Sequence, residues 1–90
     1  MTEDVWVTSV EVYHLRNRWV VKAYRSNDNH KTLIYKRLKT TAVSFAQGYA
    51  AALGDDNWAN NRGLEVVVKG RNGKIQTKSS YGYDPESSVG

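Results

Sequence analysis

No cysteine occurs among the 90 residues, which removes disulfides and thiol chemistry and fits a reducing compartment. No apolar run approaches the roughly 18 residues that a membrane span needs. The opening Met1-Thr2-Glu3-Asp4 is acidic where a secretory signal would be basic and then apolar. The expectation is a cytoplasmic protein with no membrane partner. Histidine is scarce as well. His14 and His30 fall at a strand end and in a loop, without an acid at a telling spacing, and two histidines without cysteine do not make a metal site. No glycine-rich loop precedes a helix, so the motifs that cradle nucleotide phosphates are missing. Gly70-Arg71-Asn72-Gly73 reads as a turn between strands. Catalysis needs a nucleophile, a base and a group to orient them, and no such set stands out. The sequence therefore predicts a non-enzyme with no catalytic residues, no metal and no cofactor.

What is present suits one small globular domain. Apolar residues make up 40% and charged residues 24%, too apolar for a disordered chain and ordinary for a folded one. Residues 1–85 are read as a single domain and 86–90 as a disordered tail, since nothing in that tail can be buried. The net charge of +4 is unevenly spread. Arg16, Arg18, Lys22, Arg25, Lys31, Lys36, Arg37 and Lys39 face the lone acid Asp28 within their stretch, and Lys69, Arg71, Lys74 and Lys78 have no acid among them. Such segregation is what an anion-binding face requires. Lysines on strand exteriors also serve simply to resist edge pairing.

The pattern of the chain predicts strand, strand, strand, helix, strand, strand. VWVTSVEVYH (5–14) is β-rich, but its alternation slips near Thr8-Ser9, which calls for a bulge or a separate lead-in. A turn at Leu15–Arg18 follows, with Asn17 the residue most tolerant of positive φ. Strands are expected over 18–25 and 32–39. The period then changes: Ala42, Phe45, Ala46, Tyr49, Ala52 and Leu53 form one stripe of a helix over 40–53. Thr40 or Thr41 can cap its start and Gly54 its end, while Gly48 suggests close approach to a strand. Residues 55–63 read as a polar loop in which Trp58 either caps the core or meets a partner.

Asn72-Gly73 marks a hairpin whose two central residues need positive φ. That register opposes Arg71 to Lys74, Lys69 to Gln76, Val68 to Thr77 and Val67 to Lys78. Lys69, Arg71, Lys74 and Lys78 would then share a solvated basic face. The fold expected is α+β: an antiparallel sheet of about five strands with one helix packed on one face. Its core would hold Trp19, Val21, Phe45, Ala46, Tyr49, Leu53, Val66, Val68 and Ile75.

Four segments carry a resemblance: Arg18-Trp19-Val20-Val21-Lys22, Thr41 to Ala52, Leu64 to Ile75, and Ser80-Tyr81-Gly82-Tyr83-Asp84-Pro85. They resemble the small bacterial family catalogued as domain of unknown function 2188, with its Trp-x-Val-Lys strand, alanine-rich helix, Gly-Arg-x-Gly-Arg/Lys-Ile hairpin and Ser-Tyr-Gly-x-Asp-Pro ending. Lys69 stands where a histidine is common, the first hairpin is longer, and the proline-rich finish is cut to one proline. The resemblance implies the fold and a bacterial or phage origin, and carries no activity with it.

Two functions remain open at this level. The first is nucleic-acid binding, to DNA or RNA, through a basic sheet face or the hairpin, with Arg16, Arg18, Lys22, Lys36, Arg37, Lys69, Arg71, Lys74 and Lys78 as candidate contacts and Tyr24 or Tyr35 against bases. A sheet backed by one helix also resembles the arm-type DNA-binding domains of integrases, although strand parity keeps several of these bases off a common face. The second is a protein-interaction module, either a homodimer or a phage-type inhibitor of a host protein, with Trp58, Tyr81 and Tyr83 as candidate contacts. The Tyr81–Pro85 stretch has a structural reading too, its rings folding back over apolar surface.

Overall fold

In the computed structural model, which describes residues 5–83, the predicted element order holds. The strands are β1 (Val7–Leu15), β2 (Arg18–Arg25), β3 (His30–Lys36), β4 (Glu65–Lys69) and β5 (Ile75–Ser80), and α1 (Lys39–Ala59) lies between β3 and β4. They form one sheet in the order β3-β2-β1-β4-β5. Asp84, Pro85 and the 86–90 tail lie outside the described residues.

The sheet is mixed rather than antiparallel, because β1 and β4 run parallel. The reason lies in the connections. Short turns join β1 to β2 and β2 to β3, so β1 and β3 point the same way. The 21-residue α1 then carries the chain back along the sheet, about 30 Å at 1.5 Å per residue, and β4 sets off from the end where β1 began. Val66-Val67-Val68 suits that interior place, between β1 and β5: all three are buried.

Cross-strand partners share a face, and one face is set by Val10↔Ala23, Val12↔Val21, Val10↔Val66 and Val12↔Val68. The valines of these pairs pack with Trp19 and Leu64 under α1. The helix contributes Ala42, Ala46, Ala50, Gly54 and Asn57 as its buried line. Phe45, Tyr49 and Leu53 only flank that line, partly buried, and Ala52 is exposed. The expected stripe was thus rotated toward the large side chains, whereas the small ones sit closest to the sheet.

Three further expectations about the helix change. It starts at Lys39 with Leu38 as an N-cap that makes no side-chain bond, and the Thr41 hydroxyl donates to the Leu38 carbonyl at 2.9 Å. It does not stop at Gly54 but runs on to Ala59, absorbing most of the expected loop. Asn57 supports that extension: its buried amide Nδ2 donates to the Val7 carbonyl at 3.0 Å and the Gly63 carbonyl at 3.4 Å, tying the helix to the start of β1. The close-approach glycine is Gly54, not Gly48. A Cβ at Gly54 would stand 2.5 Å from the Tyr81 carbonyl oxygen, while a Cβ at Gly48 would meet nothing within 4 Å.

The bulge expected near Thr8 is there, with register shifting between Val7 and Ser9. The last hairpin is built differently from the expectation. Gly73 N–H donates to Gly70 O at 3.0 Å and Gly70 N–H to Lys74 O at 2.9 Å, so Arg71 and Asn72 are the central turn residues and only Gly73 (φ 81) is left-handed. Asn72 Oδ1 accepts from Lys74 N–H at 3.0 Å. The β2–β3 loop repeats the device, with Asp28 (φ 69) in the left-handed place and Asn27 Oδ1 accepting from Asn29 N–H at 3.2 Å. Both are three-residue loops ending in a left-handed bulge. The expected pairs Val67↔Lys78 and Val68↔Thr77 survive because a second bulge at Gln76 restores the register, whereas Lys69 now opposes Ile75. Arg71 and Lys74 are not opposed. Ile75 leaves the predicted core and is 54% exposed, since α1 packs over β1 to β4 but not over β5.

Gly48→Ala should raise stability by roughly 0.5–1 kcal/mol, because it removes backbone freedom at an open helical position. Gly54→Ala should lower it by about 1–3 kcal/mol through overpacking. Urea denaturation of the two variants checks the opposite signs.

Candidate functional site on the uncovered sheet face

One helix covers one face, so the other must be finished by its own side chains. Three rows cross it. Tyr35, Val20 and Tyr13 stand side by side on β3, β2 and β1. The next row is Thr32, Lys22, Glu11, Val67 and Lys78 across all five strands, and the third is His30, Tyr24, Ser9, Glu65 and Ser80. Val20 is only 1% exposed although no described helix or strand lies above it. Its cross-strand neighbours are Tyr13 and Tyr35, whose rings are apolar along the body and polar at the tip and so suit a place beside it.

The centre of this face is internally paired. Lys22 Nζ lies 5.3 Å from the Tyr13 ring centroid. Its ammonium is held above the ordinary lysine pKa, first by a side-chain hydrogen bond with Tyr13 and further by nearby tyrosine and Glu11 charge, against a desolvation that lowers it. Lys69 Nζ meets Glu11 Oε1 at 3.3 Å. Tyr24 packs on His30 with centroids 5.8 Å apart.

At the β1–β2 turn end the face opens into a groove lined by Leu15, Arg16, Asn17, Arg18, Tyr35 and Arg37. Its tyrosine is 54% exposed, and its three cations have no acid among the lining residues. Arg16 carries a φ of 58°. It therefore occupies the left-handed position expected of Asn17, in a two-residue loop where the first position favours glycine. For a residue with a long side chain this conformation costs on the order of 1 kcal/mol.

Of the candidate cations, the sheet brings Arg18, Lys22, Lys69 and Lys78 onto this face, with Arg16 and Arg37 at its groove. Lys36 is separated, because its partner Trp19 belongs to the helix side. Arg71 lines a different recess, with Trp19, Lys39 and Gln76, where the Lys39 ammonium donates to Gln76 Oε1. Lys74 pairs with Gly70 at the hairpin tip. Tyr13 and Asn17 are not among the candidates drawn from the sequence. Tyr13 could have been found from parity, since it alternates against Val10 and Val12.

The aromatic candidates lie at the opposite end of β1. Trp58 is 49% exposed and packs on Tyr83 at 5.2 Å, beside the Arg62 guanidinium stacked 4.5 Å over Trp6. Tyr81 is packed partly buried against the core, and Tyr81, Gly82 and Tyr83 donate backbone bonds to Leu64 and Arg62 at 2.7–3.1 Å.

Among the described residues, no group of three or more His, Cys, Asp or Glu could hold a metal ion, and no helix is long and apolar enough to cross a membrane. Comparison with protein-family models, curated proteins and solved structures finds no match to this chain.

Arg16→Asn should raise stability, by up to about 1 kcal/mol, since asparagine tolerates the left-handed region better. Thermal unfolding checks this, and a loss of stability would show that the Arg16 side chain holds the turn.

Proposed function

We propose that the chain is a non-catalytic nucleic-acid-binding module that works through its uncovered sheet face. The observation that carries this reading is the gathering of Arg16, Arg18 and Arg37 with Tyr35 at one end of the row Tyr35–Val20–Tyr13, with Lys22 in the next row and Lys69 and Lys78 farther across the same face. Cations supply phosphate contacts and aromatic rings supply base contacts. The acids on this face are Glu11 and Glu65, and Glu11 is already neutralised by Lys69. Arg16 adds a second support. A strained arginine where asparagine or glycine would fit better is a departure from local preference of the kind that functional sites tolerate. The expectation that the hairpin itself forms the basic contact surface is narrowed, because only Lys69 and Lys78 of its four cations reach this face.

A second reading has its own observation. Trp58 and Tyr83, half-open beside the Trp6–Arg62 stack, form an aromatic end suited to a protein partner or a second copy, since interfaces are rich in tryptophan, tyrosine and arginine. Light scattering over a concentration series, repeated with Trp58→Ala, tests it. A dimer lost in the variant supports this reading.

Nucleic-acid binding is tested by titrating a mixed-sequence oligonucleotide at several salt concentrations. Affinity should fall steeply with salt, and Arg18→Gln with Arg37→Gln should flatten the log–log slope by about 0.7–0.9 per lost contact. The loss should be similar for every sequence. Absence of binding at low salt would remove the proposal.

A further inference from the structure

Sheet width and the state of Tyr35 together say which form of nucleic acid this face takes. Five strands about 4.8 Å apart put the outer strand axes roughly 19 Å from one another, against a major groove of about 12 Å. The whole face cannot enter that groove. A paired duplex also keeps the faces of its bases stacked inside, so it offers nothing for a tyrosine ring to cover. Yet the groove is built around such a ring. Tyr35 is 54% exposed, and no described residue stacks on it, whereas Tyr13 is taken by Lys22 and Tyr24 by His30.

We infer that this groove binds an unpaired nucleotide, with its base stacked on Tyr35 and its flanking phosphates held by Arg16, Arg18 and Arg37. The inference rests on the sheet-face reading and narrows its ligand to single-stranded nucleic acid. The groove supplies what such a ligand needs. Guanidinium groups engage phosphate oxygens two at a time and also lie flat on bases, which ammonium groups do not. Leu15 gives the groove an apolar wall, and Asn17 brings an amide that can both donate to and accept from a base edge. Strand parity places Arg18 and Leu15 opposite one another, one row beyond Val20 and Tyr13, so a strand lying across β3, β2 and β1 meets its cations on one side of the ring row and Lys22 on the other.

The experiment measures fluorescence anisotropy of a labelled mixed-sequence oligonucleotide in three forms: single-stranded DNA, single-stranded RNA and duplex DNA. It uses the full chain and the variants Tyr35→Ala and Tyr35→Phe, with folding checked by circular dichroism. Single strands should bind tighter than the duplex. Tyr35→Ala should weaken single-strand binding about tenfold or more without changing the salt slope, and Tyr35→Phe should retain it, because the contact is a ring face and not a charge. A preference between the RNA and DNA arms would show whether the 2′-hydroxyl is read. Tighter binding to duplex, or single-strand binding indifferent to Tyr35→Ala, would overturn this inference while leaving the sheet-face reading standing. Absence of binding to all three at low salt would overturn both.

Discussion

A single helix packed against a five-stranded sheet leaves one face of that sheet to water, and the rest of the molecule follows from this constraint. Ala42, Ala46, Ala50 and Gly54 let α1 lie close, so the helix side is filled by valines and needs few large side chains. Among the described residues the other side has no such layer. Val20 and Val67 still need cover there, and the chain provides it with residues that are apolar along the stem and polar at the tip. Tyr13, Tyr35, Lys22 and Arg18 are thus explained in part by burial alone.

That explanation does not extend to everything on the face. Burial accounts for Lys22 leaning over Tyr13 and for Lys69 closing on Glu11. Tyr35 is half-open because β3 is an edge strand, but burial gives no reason for three arginines to gather round it with no acid among the groove's lining residues. It gives none for Arg16 to accept a left-handed backbone with Asn17 beside it. Those features cluster in one groove, and that concentration separates a binding surface from a merely soluble one. The opposite end of β1, where Trp58 rests on Tyr83, has the composition of a protein contact, and backbone bonds from Tyr81, Gly82 and Tyr83 to Leu64 and Arg62 tie it to the fold.

Strand and helix periods were legible in the sequence, and so was the bulge at Thr8, because each is a local property of apolar spacing. The parallel pairing of β1 with β4 was missed, although the long helix between β3 and β4 returns the chain to the end where β1 begins and so makes the sheet mixed. The helix end was not legible: Asp55-Asp56-Asn57-Trp58 has loop composition, and tertiary contacts, among them the bonds of Asn57 to Val7 and Gly63, support it as helix. Hairpin chemistry misled in one respect. Asn72-Gly73 does mark the turn, yet Asn72 acts through its side chain rather than by adopting positive φ, and Ile75 stays out of the core because α1 does not reach β5. Among the candidate cations, those on β2 were placed by parity alone. Lys36, Arg71 and Lys74 were not, because their positions depend on which side of the sheet the helix chooses and on where the hairpin bulges.

The central claim is that function resides on the face the helix leaves bare. Backbone amide chemical shifts, followed by NMR as a mixed-sequence single-stranded oligonucleotide is added, test it most directly. The account predicts shifts concentrated at Leu15–Arg18, Val20, Tyr13, Tyr35 and Arg37, with α1 from Ala42 to Ala50 unmoved. Shifts centred instead on Trp6, Trp58 and Tyr83, or on the exposed side of α1, would contradict it.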